Sequence, residues 1–126
     1  MTKEVIQLIG NGMTALGLNF AFGVWEAGPV ELYFTGEYQE AEATSESGLQ
    51  EADFILTGFT RGEWSDLEAA KAKIENYFSR FGHRTIASSG NAVVLSYANS
   101  FVVPTGDAEL KRIEIHLNVK EWKVIL

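Results

Sequence analysis

Ser65-Asp66-Leu67-Glu68-Ala69-Ala70-Lys71-Ala72-Lys73-Ile74-Glu75-Asn76-Tyr77-Phe78-Ser79-Arg80-Phe81-Gly82 is the stretch that sets the fold class. Leu67, Ala70, Ile74, Tyr77, Phe78 and Phe81 recur at helical spacing and make one apolar stripe. Ser65 with Glu68 matches a capping box, with Ser65 as N-cap and Trp64 placed for a hydrophobic staple. Asp66 and Glu68 suit the positive end of the helix dipole and Arg80 the negative end. Gly82 marks the stop. The spacing therefore predicts a helix from Ser65 to Gly82, and strand-like segments lie on both sides of it.

Upstream, Leu18–Trp25 alternates, with Phe20, Phe22 and Val24 on one side. Gly28-Pro29 reads as a turn. Val30–Ala43 alternates again, with Gly36 suggesting a bulge in mid-strand. Thr44–Gly48 is a loop by composition, and Leu49–Phe59 returns as the second arm of a long hairpin. Before these, Val5, Leu8, Ile9, Met13 and Leu16 recur at helical spacing after Thr2, with Gly17 at the C-terminal end. Gly10 and Gly12 weaken that helix by up to about 1 kcal/mol each relative to Ala, so it needs tertiary packing.

Downstream, Arg84–Ala87 and Ala92–Tyr97 read as strands about the Ser88–Asn91 turn, and Pro104–Asp107 is another turn. The last strand is long. Ile113, Ile115, Leu117 and Val119 face a core, while Arg112, Glu114, His116, Asn118 and Lys120 face outward. The order α-β-β-β-α-β-β-β predicts an α+β fold: a mainly antiparallel, mixed sheet with a long hairpin and two helices packed on it. The 126 residues fit one domain spanning 1–126.

Charge is distributed unevenly. Glu4, Glu26, Glu31, Glu37, Glu40, Glu42, Glu46, Glu51 and Asp53 stand between Glu4 and Thr60 with no Lys or Arg among them. Nine of the ten bases lie from Arg61 onward, and the net charge is −7. A general nucleic-acid binder needs a basic stripe, so this balance argues against one. The chain has no Cys, which removes disulfide frameworks, thiol nucleophiles and Cys-based metal sites together. The first residues, Met1-Thr2-Lys3-Glu4, lack the pattern of a secretory signal, and no apolar run approaches the length of a membrane span.

Chemical motifs are sparse. Gly10-Asn11-Gly12 with Gly17 precedes a strand instead of following one, so it does not read as a dinucleotide loop. His116 lies between Glu114 and Asn118 on an outward face, which reads as a solvated polar face and not as a metal site. His83 reads as a polar end group beside a helix terminus. Glu40 and Glu42 share a face, but a Glu- and Ser-rich hairpin tip is too wet to shift carboxylate pKa values for catalysis. No catalytic, cofactor-binding or metal-ligating set is expected.

Two runs carry a resemblance. Phe54–Gly62 with Trp64 leads into Leu67-Glu68 and Lys73-Ile74; Pro104–Ile113 is followed by Val119-Lys120-Glu121-Trp122. Together these resemble the tail terminator, or tail completion, proteins of long-tailed phages and prophages. The first third is similar in pattern and not in residues. The resemblance implies a short α+β protein, not an enzyme and without cofactor. Such a protein forms a ring, commonly of six subunits, on the head-proximal end of the tail tube. It ends tube polymerisation and offers a surface to head-completion proteins, while DNA passes through without specific binding. The setting it implies is the virion tail, reached from the host cytoplasm. On that reading Glu37, Glu40, Glu42, Glu46, Glu51 and Asp53 face the lumen or a neighbouring subunit. Arg61, Arg84, Lys111, Arg112 and Trp122 are candidates for the ring contact. The alternatives are a small intracellular ligand-binding domain or enzyme with an unrecognised site, and an acidic adaptor for a basic partner.

Overall fold

The computed structural model describes residues 1–40, 48–79, 83–87 and 89–123, with only the backbone at His83. Two helices and six strands follow in the order α1 (Lys3–Ala15), β1 (Phe20–Phe22), β2 (Leu32–Glu40), β3 (Leu49–Thr60), α2 (Trp64–Phe78), β4 (His83–Ile86), β5 (Ala92–Val102) and β6 (Lys111–Trp122). The strands form one mixed sheet in the order β1-β2-β3-β6-β5-β4. Only β1 pairs in parallel, with β2; every other pair is antiparallel. This is the expected α+β fold with the expected element order.

Both helices lie on one face of the sheet. From α1 come Val5, Ile9 and Met13, and from α2 come Leu67, Ala70, Ile74 and Phe78. They pack on Phe34, Phe54, Leu56, Val93, Leu95, Ile113, Ile115, Leu117 and Val119. Burying each large apolar side chain contributes about 1.5–3 kcal/mol. The helices meet where α1 carries Gly12: a Cβ there would lie 2.9 Å from the Tyr77 ring and 3.3 Å from the Phe78 ring. The glycine that weakens α1 locally is what lets α2 approach it.

Glycine serves a related purpose inside the sheet. Gly36 makes no bulge, since β2 and β3 stay in register from Leu32↔Thr60 to Glu40↔Ala52. A Cβ on Gly36 would come within 2.6 Å of Phe54 Cζ, and one on Gly58 within 2.5 Å of Phe34 Cε1. Two phenyl rings thus occupy the space over two glycines, as in the aromatic rescue of strand glycines. The irregularity falls instead in β5, where the register with β6 shifts between Tyr97 and Asn99.

Other boundaries differ from expectation, and β5 runs on past Tyr97 to Val102. Helix α2 begins at Trp64 with Glu63 as N-cap. The Glu63 N–H donates to Asp66 Oδ2 at 3.3 Å, so Asp66 closes a capping box two residues earlier than the Ser65–Glu68 pattern suggested. Trp64 is consequently the first helical residue and is not a staple ahead of the cap. Among the described residues the helix ends at Phe78, where Ser79 takes a left-handed φ of 40°; Arg80, Phe81 and Gly82 lie outside the described residues. Strand β1 is only three residues long because Gly23, at φ +86°, turns the chain, leaving Val24 exposed.

Candidate functional site

The sheet face away from the helices carries the charge. Strand alternation places Tyr33, Thr35, Glu37 and Gln39 of β2 there, beside Glu51, Asp53, Ile55, Thr57 and Phe59 of β3. Arg112, Glu114, His116, Asn118 and Lys120 of β6 stand next to them. The outward set expected for the last strand is therefore correct.

Pairing between β3 and β6 joins the acidic half of the chain to the basic half inside one subunit. Glu51 is opposite Lys120, with Oε1 3.8 Å from Nζ. Asp53 Oδ2 is 2.7 Å from His116 Nδ1, and Glu114 Oε2 is 3.3 Å from His116 Nε2. The imidazole thus stands between two carboxylates, with Phe101 stacked on it at 5.6 Å between ring centres. Burial of the imidazole works against its charged form, but the hydrogen bonds and charges of Asp53 and Glu114 outweigh it, and the His116 pKa is raised. Each ring nitrogen faces a different carboxylate, so the three groups clamp a proton and do not converge on an ion. Among the described residues no group of three or more His, Cys, Asp and Glu could hold a metal.

One end of this face is a row of stacked planes. Trp25 lies on Tyr33 at 5.5 Å, Tyr33 on Phe59 at 5.1 Å, and the Arg112 guanidinium over Phe59 at 5.6 Å. The other end is an open groove of about 590 Å³ lined by Gln39, Glu40, Glu51, Ala52, Asp53, Asn118, Val119 and Lys120.

The sequence-derived candidates separate on this framework. Glu37 is exposed on the open face, while Glu40 alternates to the helix side and contacts the Met1 amino group. Glu51 and Asp53 are engaged by Lys120 and His116. Glu42 and Glu46 lie outside the described residues. Arg61 pairs with Asp107 at 3.4 Å, and the Asp107 pKa is lowered, first by the Glu109 N–H that donates to it and then by Arg61. Arg84 is exposed on β4, Lys111 and Arg112 begin β6, and Trp122 ends it opposite Leu49 and Ala92. Arg61, Lys111 and Arg112 thus lie at the same end of the β3–β6 ladder, where Thr60 pairs with Lys111, while Arg84 lies apart on β4.

One functional-looking residue escaped the sequence. Glu121 is 1% exposed on the helix side of β6. Its carboxylate accepts from Thr2 Oγ1 at 2.8 Å and Asn91 Nδ2 at 2.8 Å. Thr2 is the N-cap of α1, but its hydroxyl serves Glu121 and not the helix. The three residues tie α1, the β4–β5 turn and β6 together. The signal available was period two continuing from Val119 to an inward position 121, which the carboxylate itself obscured.

No protein-family model matches the sequence, and no curated protein matches it either. A solved structure does: a chain of the "Virion of native gene transfer agent (GTA) particle" is similar with a TM-score of 0.63 and 16% sequence identity, over 89% of this chain and 84% of that one. At that identity the likeness shows a shared fold, extending over nearly the whole of both chains.

Proposed function

We propose that this chain is a structural protein of a phage-like particle, and more narrowly a ring-forming tail terminator. The observation that carries the reading is the fold-level likeness to a chain of a gene transfer agent virion along most of both molecules. The sequence resemblance of Phe54–Trp64 and Pro104–Trp122 to tail terminators supports the narrower role. On this reading the protein acts by geometry, without catalysis or cofactor. Copies close a ring, commonly of six, on the head-proximal end of the tube. The ring blocks addition of further tube subunits and offers its far side to a head-completion protein.

The open sheet face suits the wall of a DNA passage. Glu37, Glu51, Asp53 and Glu114 outnumber its permanent cations Arg112 and Lys120. A face of net negative charge repels phosphates and keeps DNA from sticking. The groove beside Gln39 and Lys120 would be the site of the competing ligand-binding reading, but its Glu51 and Asp53 carboxylates are already engaged by Lys120 and His116.

Assembly of purified tail tubes with and without this protein, viewed by negative-stain microscopy, tests the role. Tubes of limited length are expected when the protein is present. Overlong tubes persisting at normal dose would count against termination.

A further inference from the structure

Both edges of the sheet are stepped, and the two steps are complementary. Among the described residues, β1 covers β2 on one edge only from Phe34 to Gly36, which leaves β2 bare from Glu37 to Glu40. On the other edge, again among the described residues, β4 covers β5 only from Ala92 to Leu95, which leaves Ser100–Val102 bare at the far end of β5. The ladder sets these features on common levels. Val102 is level, through Ile113 and Gly58, with Phe34 and hence with Phe20 of β1. Ser100 is level, through Ile115 and Leu56, with Gly36 and hence with Phe22. Leu95, where β4 begins, is level through Val119 and Ala52 with Glu40. So β1 projects at the height where β5 is bare, and β4 begins at the level of Glu40, the last residue of β2.

Strand direction and chemistry agree with this match. Counting pairings across the sheet, β1 and β5 run in opposite directions, so copies set side by side with the same face up bring them together antiparallel. Phe22 is 46% exposed on one step; Phe101 and Val102 are 49% and 52% exposed on the other. Strand β5 has no charged residue from Ala92 to Val102, and a bare apolar edge of that kind invites another strand. On the upper step the bare part of β2 carries exposed Glu37, and β4 carries exposed Arg84. Both halves of the fit belong to one chain.

The geometry points to a second copy of this chain as the occupant of each edge. Phe20–Phe22 of one copy pairs antiparallel with Ser100–Val102 of the next, and the sheet continues across the contact. Two different patches meet, so the contact is head-to-tail and repeats until it closes. This inference rests on the ring reading above and names the surfaces that would build the ring.

Because the chain has no Cys, paired substitutions test it cleanly. Ala21→Cys and Phe101→Cys, both on the open face, are prepared singly, mixed, allowed to cap tail tubes and treated with a short bis-maleimide. Asn99→Cys on the same face replaces Phe101→Cys should that variant misfold. The mixture is expected to give a covalent dimer holding one copy of each variant, and each variant alone none. Self-linking of either variant, or no linking in capped tubes, would overturn the edge contact and leave the ring reading standing. Failure of the unmodified protein to associate with tube ends would overturn both.

Discussion

At the scale of single residues, glycines and one histidine carry the sharpest expectations. Gly58→Ala and Gly36→Ala force a methyl against Phe34 and Phe54, at 2.5 and 2.6 Å before any adjustment. Overpacking of this kind costs about 1–3 kcal/mol. Thermal unfolding should show both variants destabilised by about that amount; unchanged melting would mean that the rings do not lie over these positions. His116 gives a pH signature. Its folded pKa is raised, so its contribution to stability is complete below the unfolded value near 6.5 and is lost as pH rises through the folded value. Relative to His116→Gln, the parent protein should gain melting temperature as pH falls from about 8 to about 6, across the ordinary histidine range. Parallel melting curves for the two proteins across that range would refute the clamp. The buried Glu121 is held by donors from two distant segments, so Asn91→Ala should cost about 1.5–3 kcal/mol, the range for a hydrogen bond to a charged group. Chemical denaturation would measure it.

At the scale of elements, the helix stripe and the inward face of β6 were legible because apolar periodicity survives in them without interruption. Leu67, Ala70, Ile74 and Phe78 are buried where the spacing put them, as are Ile113, Ile115, Leu117 and Val119. Boundaries were less legible because short-range capping patterns compete. Ser65–Glu68 fits the sequence pattern of a box, but the folded geometry builds the box on Glu63 and Asp66. Asp66→Ala should therefore destabilise α2 by about 0.5–2 kcal/mol, the usual cost of a lost cap, whereas Ser65→Ala should cost much less. The reverse order in denaturant melts would restore Ser65 as the cap. Gly36 was misread as a bulge for a related reason: a strand glycine signals either an extra residue or a close approach, and its meaning depends on Phe54, far away in sequence. The candidate site was legible in composition but not in arrangement. Alternation put Glu114, His116 and Lys120 on one face, yet the register of β3 on β6, which engages Asp53 and Glu51, is a tertiary fact.

At the scale of the whole molecule, that register changes what the charge asymmetry means. The acidic half does not wait for a basic partner along its full length, because β3 meets β6 within the subunit. What remains for other copies is the rest of the surface: Glu37 on β2, Arg84 on β4, and the exposed apolar residues of the stepped edges. Exposed ion pairs contribute about 0–1 kcal/mol each, so apolar contacts must carry most of a ring interface. Arg84→Glu should accordingly weaken association modestly and most visibly at low salt, whereas Val102→Asp should weaken it at every salt concentration. Sedimentation of capped tubes with each variant distinguishes the two. The central claim is a ring of this chain on the end of a tail tube. A cryo-electron microscopy map of tubes assembled with the protein decides the matter: one closed ring of copies at one end only is expected, and copies lying along the tube, or bare tube ends with the protein left in solution, would contradict it.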